Sequence, residues 1–128
     1  MKFRHILILI LLLSASTKAH HSVSASFDQS RSVTMEMEVA EFHFVNPHPY
    51  IDARQLADTE NLWSLEMDNR RELIPLGFSA DTLRPGDIIL VTTNPGIYNA
   101  NIAYVIAIEH RRLGFRYEAN VRQLINLD

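Results

Sequence analysis

The chain has 128 residues, twelve basic against fifteen acidic side chains, six histidines, four glycines and no cysteine. That length supports one domain with a modest core. The missing cysteine excludes disulfides, thiolate metal sites and cysteine nucleophiles, and so few glycines serve phosphate-cradling loops poorly.

The first nineteen residues read as a secretory signal. Lys2 and Arg4 form a positive start, Ile6 to Leu13 is an unbroken apolar run, and Thr17-Lys18-Ala19 offers small residues at a cleavage site after Ala19. The apolar run is short of the roughly 20 residues of a spanning helix. No other segment could cross a bilayer, so no membrane span is expected after cleavage. Cleavage removes Lys2, Arg4 and Lys18, leaving nine arginines against fifteen acids, a formal charge of −6. An acidic exported domain, periplasmic or secreted, repels phosphate backbones and makes nucleic acid a poor partner. The partners that suit it are a metal ion, a small ligand or another exported protein.

Residues 20–32 are polar and small-rich apart from Phe27, and read as an arm that Phe27 pins to the domain that follows. Val33, Met35, Met37 and Val39 alternate with Thr34, Glu36 and Glu38, the pattern of a half-buried strand whose acids face solvent. Beyond Val39 the apolar set becomes Ala40, Phe42 and Phe44. Such a change of phase requires an inserted residue or a sharp bend.

Asn46-Pro47-His48-Pro49 is a turn, since each proline fixes its own φ and restricts the residue before it. Tyr50 to Leu56 is a second strand with Ile51 and Ala53 inward, Asp58–Asn61 a hairpin loop, and Leu62 to Met67 a third strand. Trp63, Leu65 and Met67 share one face of that strand, with Ser64 and Glu66 on the other. A short helix begins at Asn69 as N-cap, with Glu72 placed to complete a capping box, and stops at Pro75 and Gly77. After the turn Thr82–Asp87, Ile88 to Thr93 is a fourth strand. Ile102 to Ile108, apolar throughout, is a fifth, expected to be covered on both faces. His110, beside Arg111 and Arg112, reads as a surface residue. Val121, Leu124 and Ile125 have the spacing of a short C-terminal helix.

Three strands, a helix and two strands is the order of an OB-like barrel, five-stranded and all-β, with a short helix between strands 3 and 4. Residues 33–128 would form it. A small open sandwich is the alternative.

Several pieces, in this order and spacing, resemble a family of exported bacterial proteins grouped as domain-of-unknown-function family 6152. They are His20-His21-Ser22, Phe27-Asp28, Glu41-Phe42, Asn46-Pro47-His48, Trp63-Ser64-Leu65-Glu66-Met67 and Leu83-Arg84-Pro85-Gly86-Asp87. Phe44 and Gly77-Phe78 depart from its pattern, with aromatic standing for aromatic. The resemblance implies export and a small β domain and brings no activity with it.

Cleavage after Ala19 would start the mature chain at His20-His21. A free α-amine and the ring of the same histidine can chelate one metal ion, and a further imidazole completes a planar nitrogen set that suits Cu(II). This start resembles the N-terminal histidine brace of exported copper proteins. His21, His43 or His48 would supply the further ligand, against the plainer alternative of an exposed arm. The turn Asn46 to Tyr50 is a candidate binding loop, or else a rigid connection. Glu66 is a candidate ligand or metal contact, or a carboxylate paired with Arg70 or Arg71. Trp63, Phe42, Phe44 and Phe78 read as core.

No nucleophile elbow, phosphate loop or zinc-protease motif is present in the sequence. The sequence thus supports three readings: a copper-binding module, a module for a small molecule or protein without metal, and a metal-dependent enzyme with an open coordination position. A binding module is favoured over an enzyme.

Overall fold

The computed structural model describes residues 23–119 and 123–127. A single turn of helix, α1 (Val23–Ser26), precedes three strands: β1 (Val33–His43), β2 (Tyr50–Gln55) and β3 (Asp58–Glu66). Helix α2 (Arg70–Leu73) runs into a 3-10 turn at Ile74–Leu76, and β4 (Ile88–Pro95), β5 (Ile102–His110), β6 (Phe115–Glu118) and β7 (Gln123–Asn126) follow. The signal segment, His20 and His21 lie outside the described residues. Among the described residues no helix is long and apolar enough to cross a membrane.

The alternation in β1 sets the architecture. Met35, Met37 and Val39 point inward and Glu36 and Glu38 outward. The change of phase is a register shift: Val39 faces Ala53 but Glu41 faces Asp52, so Ala40 is the extra residue. Phe42 thereby turns inward, as its position in the second apolar set requires. The bend lets one strand serve two partners. Val33–Glu38 pairs with β4 and Met37–His43 with β2, both antiparallel.

β2 pairs with β3 and β4 with β5, again antiparallel. Parallel pairing of Ser64, Leu65 and Glu66 with Ile102, Ala103 and Tyr104 then joins β3 to β5. The first five strands therefore close into a ring in the order β1-β2-β3-β5-β4, with the short helix between β3 and β4. This is the all-β, OB-like arrangement read from the sequence. Its interior is filled by Met37, Val39, Ile51, Ala53, Leu65, Ile89, Val91 and Val105, none more than 1 % exposed. Each large side chain of this set contributes roughly 1.5–3 kcal/mol by leaving water.

The arm is fastened as expected. Phe27 is buried, its ring centroid 5.5 Å from that of Tyr104, and it forms a β-bridge with Gly96. Gly96 has no substitute there, because a Cβ would meet the carbonyl oxygens of Asn99 and Ile102 at 2.7 Å each. Asn69 caps α2 by accepting the Arg71 amide, and Gly77, at φ 94°, ends the helical segment in the left-handed region that glycine tolerates.

Four expectations are corrected. Asp58–Asn61 is the start of β3 and no loop; the hairpin turns at Leu56-Ala57. Asp58 makes this possible by accepting the Glu60 amide and the Asn61 side chain, which stiffens an exposed, wholly polar strand end.

Strand β5 is covered inside and only partly outside: Ala103, Val105 and Ala107 are buried while Ile102 is 37 % exposed. The arm reaches Tyr104 on that outer face.

The tail adds β6 and β7, with Leu124 and Ile125 in a strand where a helix was expected, and Val121 outside the described residues. A helix of one or two turns is marginal by itself. Pairing of Gln123–Asn126 with Phe115–Glu118 supplies the backbone partners instead. The alternation Phe115-Arg116-Tyr117-Glu118, with the aromatics buried, was the available signal for β6.

His110, finally, is wholly buried, because β6 folds back over the end of β5 and sets Phe115 against its ring at 5.4 Å.

Phe42 and Phe78 belong to the core, whereas Trp63 and Phe44 pack against it from half-buried positions. A fully buried tryptophan costs roughly 3–5 kcal/mol on truncation. Trp63→Ala is expected to cost about 2 kcal/mol, read as a lowered urea midpoint with unchanged slope.

Candidate binding groove

The outer face of β2 and β3 carries the residues singled out in the sequence. Strand register lines them up in rows: His43 beside Tyr50 beside Glu66, then Glu41 beside Asp52 beside Ser64. Closure of the ring adds Tyr104 to the first row and Ile102 to the second. The loop 44–49 borders this face on one side. The loop 96–101 borders it on the other, and the Ser64 amide donates to the Asn101 carbonyl at 2.9 Å.

Between the loops lies a groove of about 330 Å³ lined by Pro47, His48, Tyr50, Ser64, Glu66 and Ile102. This is the size of a site for a small ligand. Strands 2 and 3 with the loops 1–2 and 4–5 form the face on which OB-type rings take ligands.

The loop 44–49 is held firmly. The Met67 amide donates to the Pro49 carbonyl at 2.9 Å, and the Arg70 amide donates to the Pro47 carbonyl at 3.0 Å. His48 Nδ1 lies 3.3 Å from the Met67 carbonyl oxygen. A carbonyl only accepts, so Nδ1 carries the proton, and in the neutral ring Nε2 keeps a free lone pair. Glu66 Oε1 stands 3.8 Å from the same Nδ1, an electrostatic contact beyond hydrogen-bond range.

Glu66 thus meets His48 and neither Arg70 nor Arg71. Arg70 is drawn over the Phe44 ring at 5.0 Å. Asn46 is exposed and does not line the groove.

His43 is held differently. Its Nε2 is 2.9 Å from Asp52 Oδ2 and 3.7 Å from Glu41 Oε2, and its ring stacks on Tyr50 with centroids 4.2 Å apart. Tyr50 therefore stacks on one candidate histidine, His43, and lines the groove together with the other, His48. Among the described residues no group of three histidine or acidic side chains is arranged to hold a metal. His20 and His21 fall outside them.

Two polar centres, one half-buried at Asp68 and one buried at Asp87, were missed in the sequence. Asp68 accepts hydrogen bonds from Tyr104 and from Tyr117, the latter at 2.6 Å. Burial first, and then these bonds to a carboxylate, push both phenols well above the ordinary tyrosine range. Asp87 accepts from the Arg84 amide at 2.9 Å and from Arg112, and faces His110 Nε2 at 3.1 Å, off the axis of a well-aligned hydrogen bond. Burial alone would raise the Asp87 carboxyl; the Arg84 amide, His110 and Arg112 outweigh it and hold the group below its usual value. Neither centre opens onto the groove lining, and both tie strands together.

A second depression of about 350 Å³ lies on the outer face of β1, β4 and β5, over Ile88 and Leu90. Its rim arginines are already engaged, Arg111 with Glu109 and Arg112 with Asp87, which makes it the weaker candidate.

No curated protein and no solved structure matches the chain. The model of a family of unknown function, DUF6152, matches residues 9–101, a span that takes in every groove-lining residue except Ile102, and the chain belongs to that family.

Proposed function

We propose that this chain is an exported binding module that takes a small ligand in the groove between the loops 44–49 and 96–101. One observation carries the reading. A loop tethered by backbone hydrogen bonds, an aromatic ring, a histidine and a carboxylate that has no hydrogen-bond partner among the described residues converge on a single groove. Convergence of a few polar groups among apolar walls is the usual character of a ligand site. Export rests on the leader-like residues 1–19.

The test is a nuclear magnetic resonance titration of the exported chain with a small-fragment set of mixed charge. Saturable shifts at Tyr50, Ser64 and Ile102 that vanish in Ser64→Arg support the reading. Hits that all fall elsewhere, with this groove silent, overturn it.

A copper module is the second reading. The arm supports it, because the Ile97 amide donates to the Ser26 carbonyl at 2.9 Å and the Asp28 amide to the Pro95 carbonyl at 2.9 Å. Those bonds fasten the arm to the loop that borders the groove. The ligands would be His20 with His21, His43 or His48. Of the described pair, His48 is the better donor, since Asp52 already engages His43 Nε2. Intact mass of the exported chain with one equivalent of Cu(II), under glycine competition, decides it. Retention of copper that His20→Ala abolishes supports the metal; copper lost to glycine removes it. A metal-dependent enzyme would further require turnover at that ion.

A further inference from the structure

We infer that the ligand of this groove presents a primary ammonium group on a short alkyl stem, an assignment that rests on the groove being the binding site.

The argument is a match of donors to acceptors. An alkylammonium carries three N–H donors and no acceptor. The groove offers three acceptors of different kinds: the Glu66 carboxylate, the Ser64 hydroxyl and the His48 imidazole, whose Nδ1 is turned to the Met67 carbonyl and whose Nε2 is the ring's acceptor atom. His48 is committed to this role by its other nitrogen, whose proton is spent on the Met67 carbonyl. Glu66 is half-exposed, and among the described residues its one contact within ion-pair range, His48 Nδ1, is 3.8 Å away, beyond hydrogen-bond distance. The carboxylate therefore keeps acceptor capacity that a charge-assisted hydrogen bond would use.

The field has the same sign. Glu41, Asp52 and Glu66 stand on this outer face, and the fixed cations nearby are turned from it or displaced along it. Arg70 stacks on Phe44, and Arg54 lies two strand positions beyond Asp52. A carboxylate or phosphate ligand would meet the like charge of Glu66 in the groove, whereas Asp52 and Glu41 face His43.

The walls complete the fit. Tyr50, braced by the His43 ring at 4.2 Å, presents an aromatic surface of the kind that attracts ammonium ions. Pro47 and Ile102 supply apolar contact for the methylenes of the stem.

The experiment compares three probes of one length and different charge: pentane-1,5-diamine, pentane-1,5-diol and glutarate. Each is titrated into the exported chain at low ionic strength, with backbone amide shifts as the readout. The diamine is expected to bind about ten-fold or more tightly than either analogue, with shifts centred on Tyr50, Ser64 and Ile102. Glu66→Gln, a half-exposed position whose replacement leaves the core untouched, is expected to weaken the diamine about ten-fold. Glu36→Gln, on the face of the other depression, is expected to leave it unchanged.

Equal binding of the diol or of glutarate in the groove overturns the ammonium assignment and leaves the groove itself standing. Equal loss in Glu66→Gln and Glu36→Gln overturns it too, since diffuse attraction would then account for the affinity. A diamine that gives no saturable shift overturns it as well, and the mixed-charge fragment titration then judges the groove separately.

Discussion

Asp87→Ala is expected to be the most damaging polar substitution in the protein, costing about 3–5 kcal/mol as removal of one partner from a buried charged cluster does. The carboxylate is 5 % exposed and closes three separate elements at once. It accepts the Arg84 amide within the turn before β4, binds Arg112 beyond β5, and faces His110, which has no exposure at all. The Leu113 amide donates to His110 Nδ1 at 3.3 Å, so that nitrogen is bare and Nε2 carries the proton toward Asp87. Alanine would leave the Arg84 amide without its acceptor, and Arg112 and the buried His110 ring without the carboxylate they face. Asp87→Asn keeps the shape and an acceptor oxygen and is expected to lose about half as much. Urea denaturation of both variants reads the difference.

The same group fixes an acid limit. Its folded value lies below its usual one, so the stability it contributes is fully present above the unfolded carboxylate range of about 4. That contribution is lost as pH falls through the lower folded value. The urea midpoint of the native chain is expected to fall more steeply below pH 4 than that of Asp87→Asn, in which this titration is absent.

Asp68→Ala carries the second large effect, about 3 kcal/mol, because it strands two hydroxyls whose desolvation penalty is roughly 1–3 kcal/mol each. Tyr104 reaches the carboxylate from β5 and Tyr117 from β6, so the loop ahead of α2 is bonded both to the ring and to its extension. Tyr117 is wholly buried and Tyr104 half-buried. Tyr117→Phe, which removes one donor and leaves the other bond in place, is expected to cost about 1 kcal/mol.

Both phenols lie above the ordinary value through burial and their bonds to Asp68. A raised value means that the protonated form is favoured by folding. The stability gained is complete below the unfolded value of about 10 and is lost as pH rises beyond it. Alkaline titration followed at the phenolate absorbance is expected to show these two groups ionising only together with unfolding. A phenolate signal in the folded chain near pH 10 that is lost in Tyr104→Phe or Tyr117→Phe would contradict the Asp68 assignment.

The backbone of the molecule was legible one residue at a time where period-two patterning is strict. Val33 to Phe42 announced its own bulge because a side chain on the wrong face of a half-buried strand is costly, and the register shift at Ala40 follows. Ile51, Ala53, Leu65 and Met67 were placed inward for the same reason. Prolines and glycines marked the turns, since their φ restrictions are local properties of the residue. Phe27 stood out as the one large apolar side chain of a polar arm, and the arm is pinned there.

What only the tertiary structure decided depends on partners distant in sequence. The tail carries apolar residues compatible with either period, and pairing with β6 chose the strand. His110 looks polar and terminal until β6 folds over it and Asp87 meets it from twenty-three residues upstream. The bonds of Tyr104 and Tyr117 to Asp68 span 36 and 49 residues, and no local pattern encodes them.

The groove divides in the same way. Asn46 to Tyr50 and Glu66 were visible as chemistry-bearing residues, but only the pairing of β2 with β3 and of β3 with β5 set Tyr50 beside Glu66 and brought Ile102 to Ser64. Residue types and their period fix which face a side chain takes. Ring closure fixes which side chains share that face, because the residues that line the groove come from three strands and a loop and meet only once the sheet has curled shut.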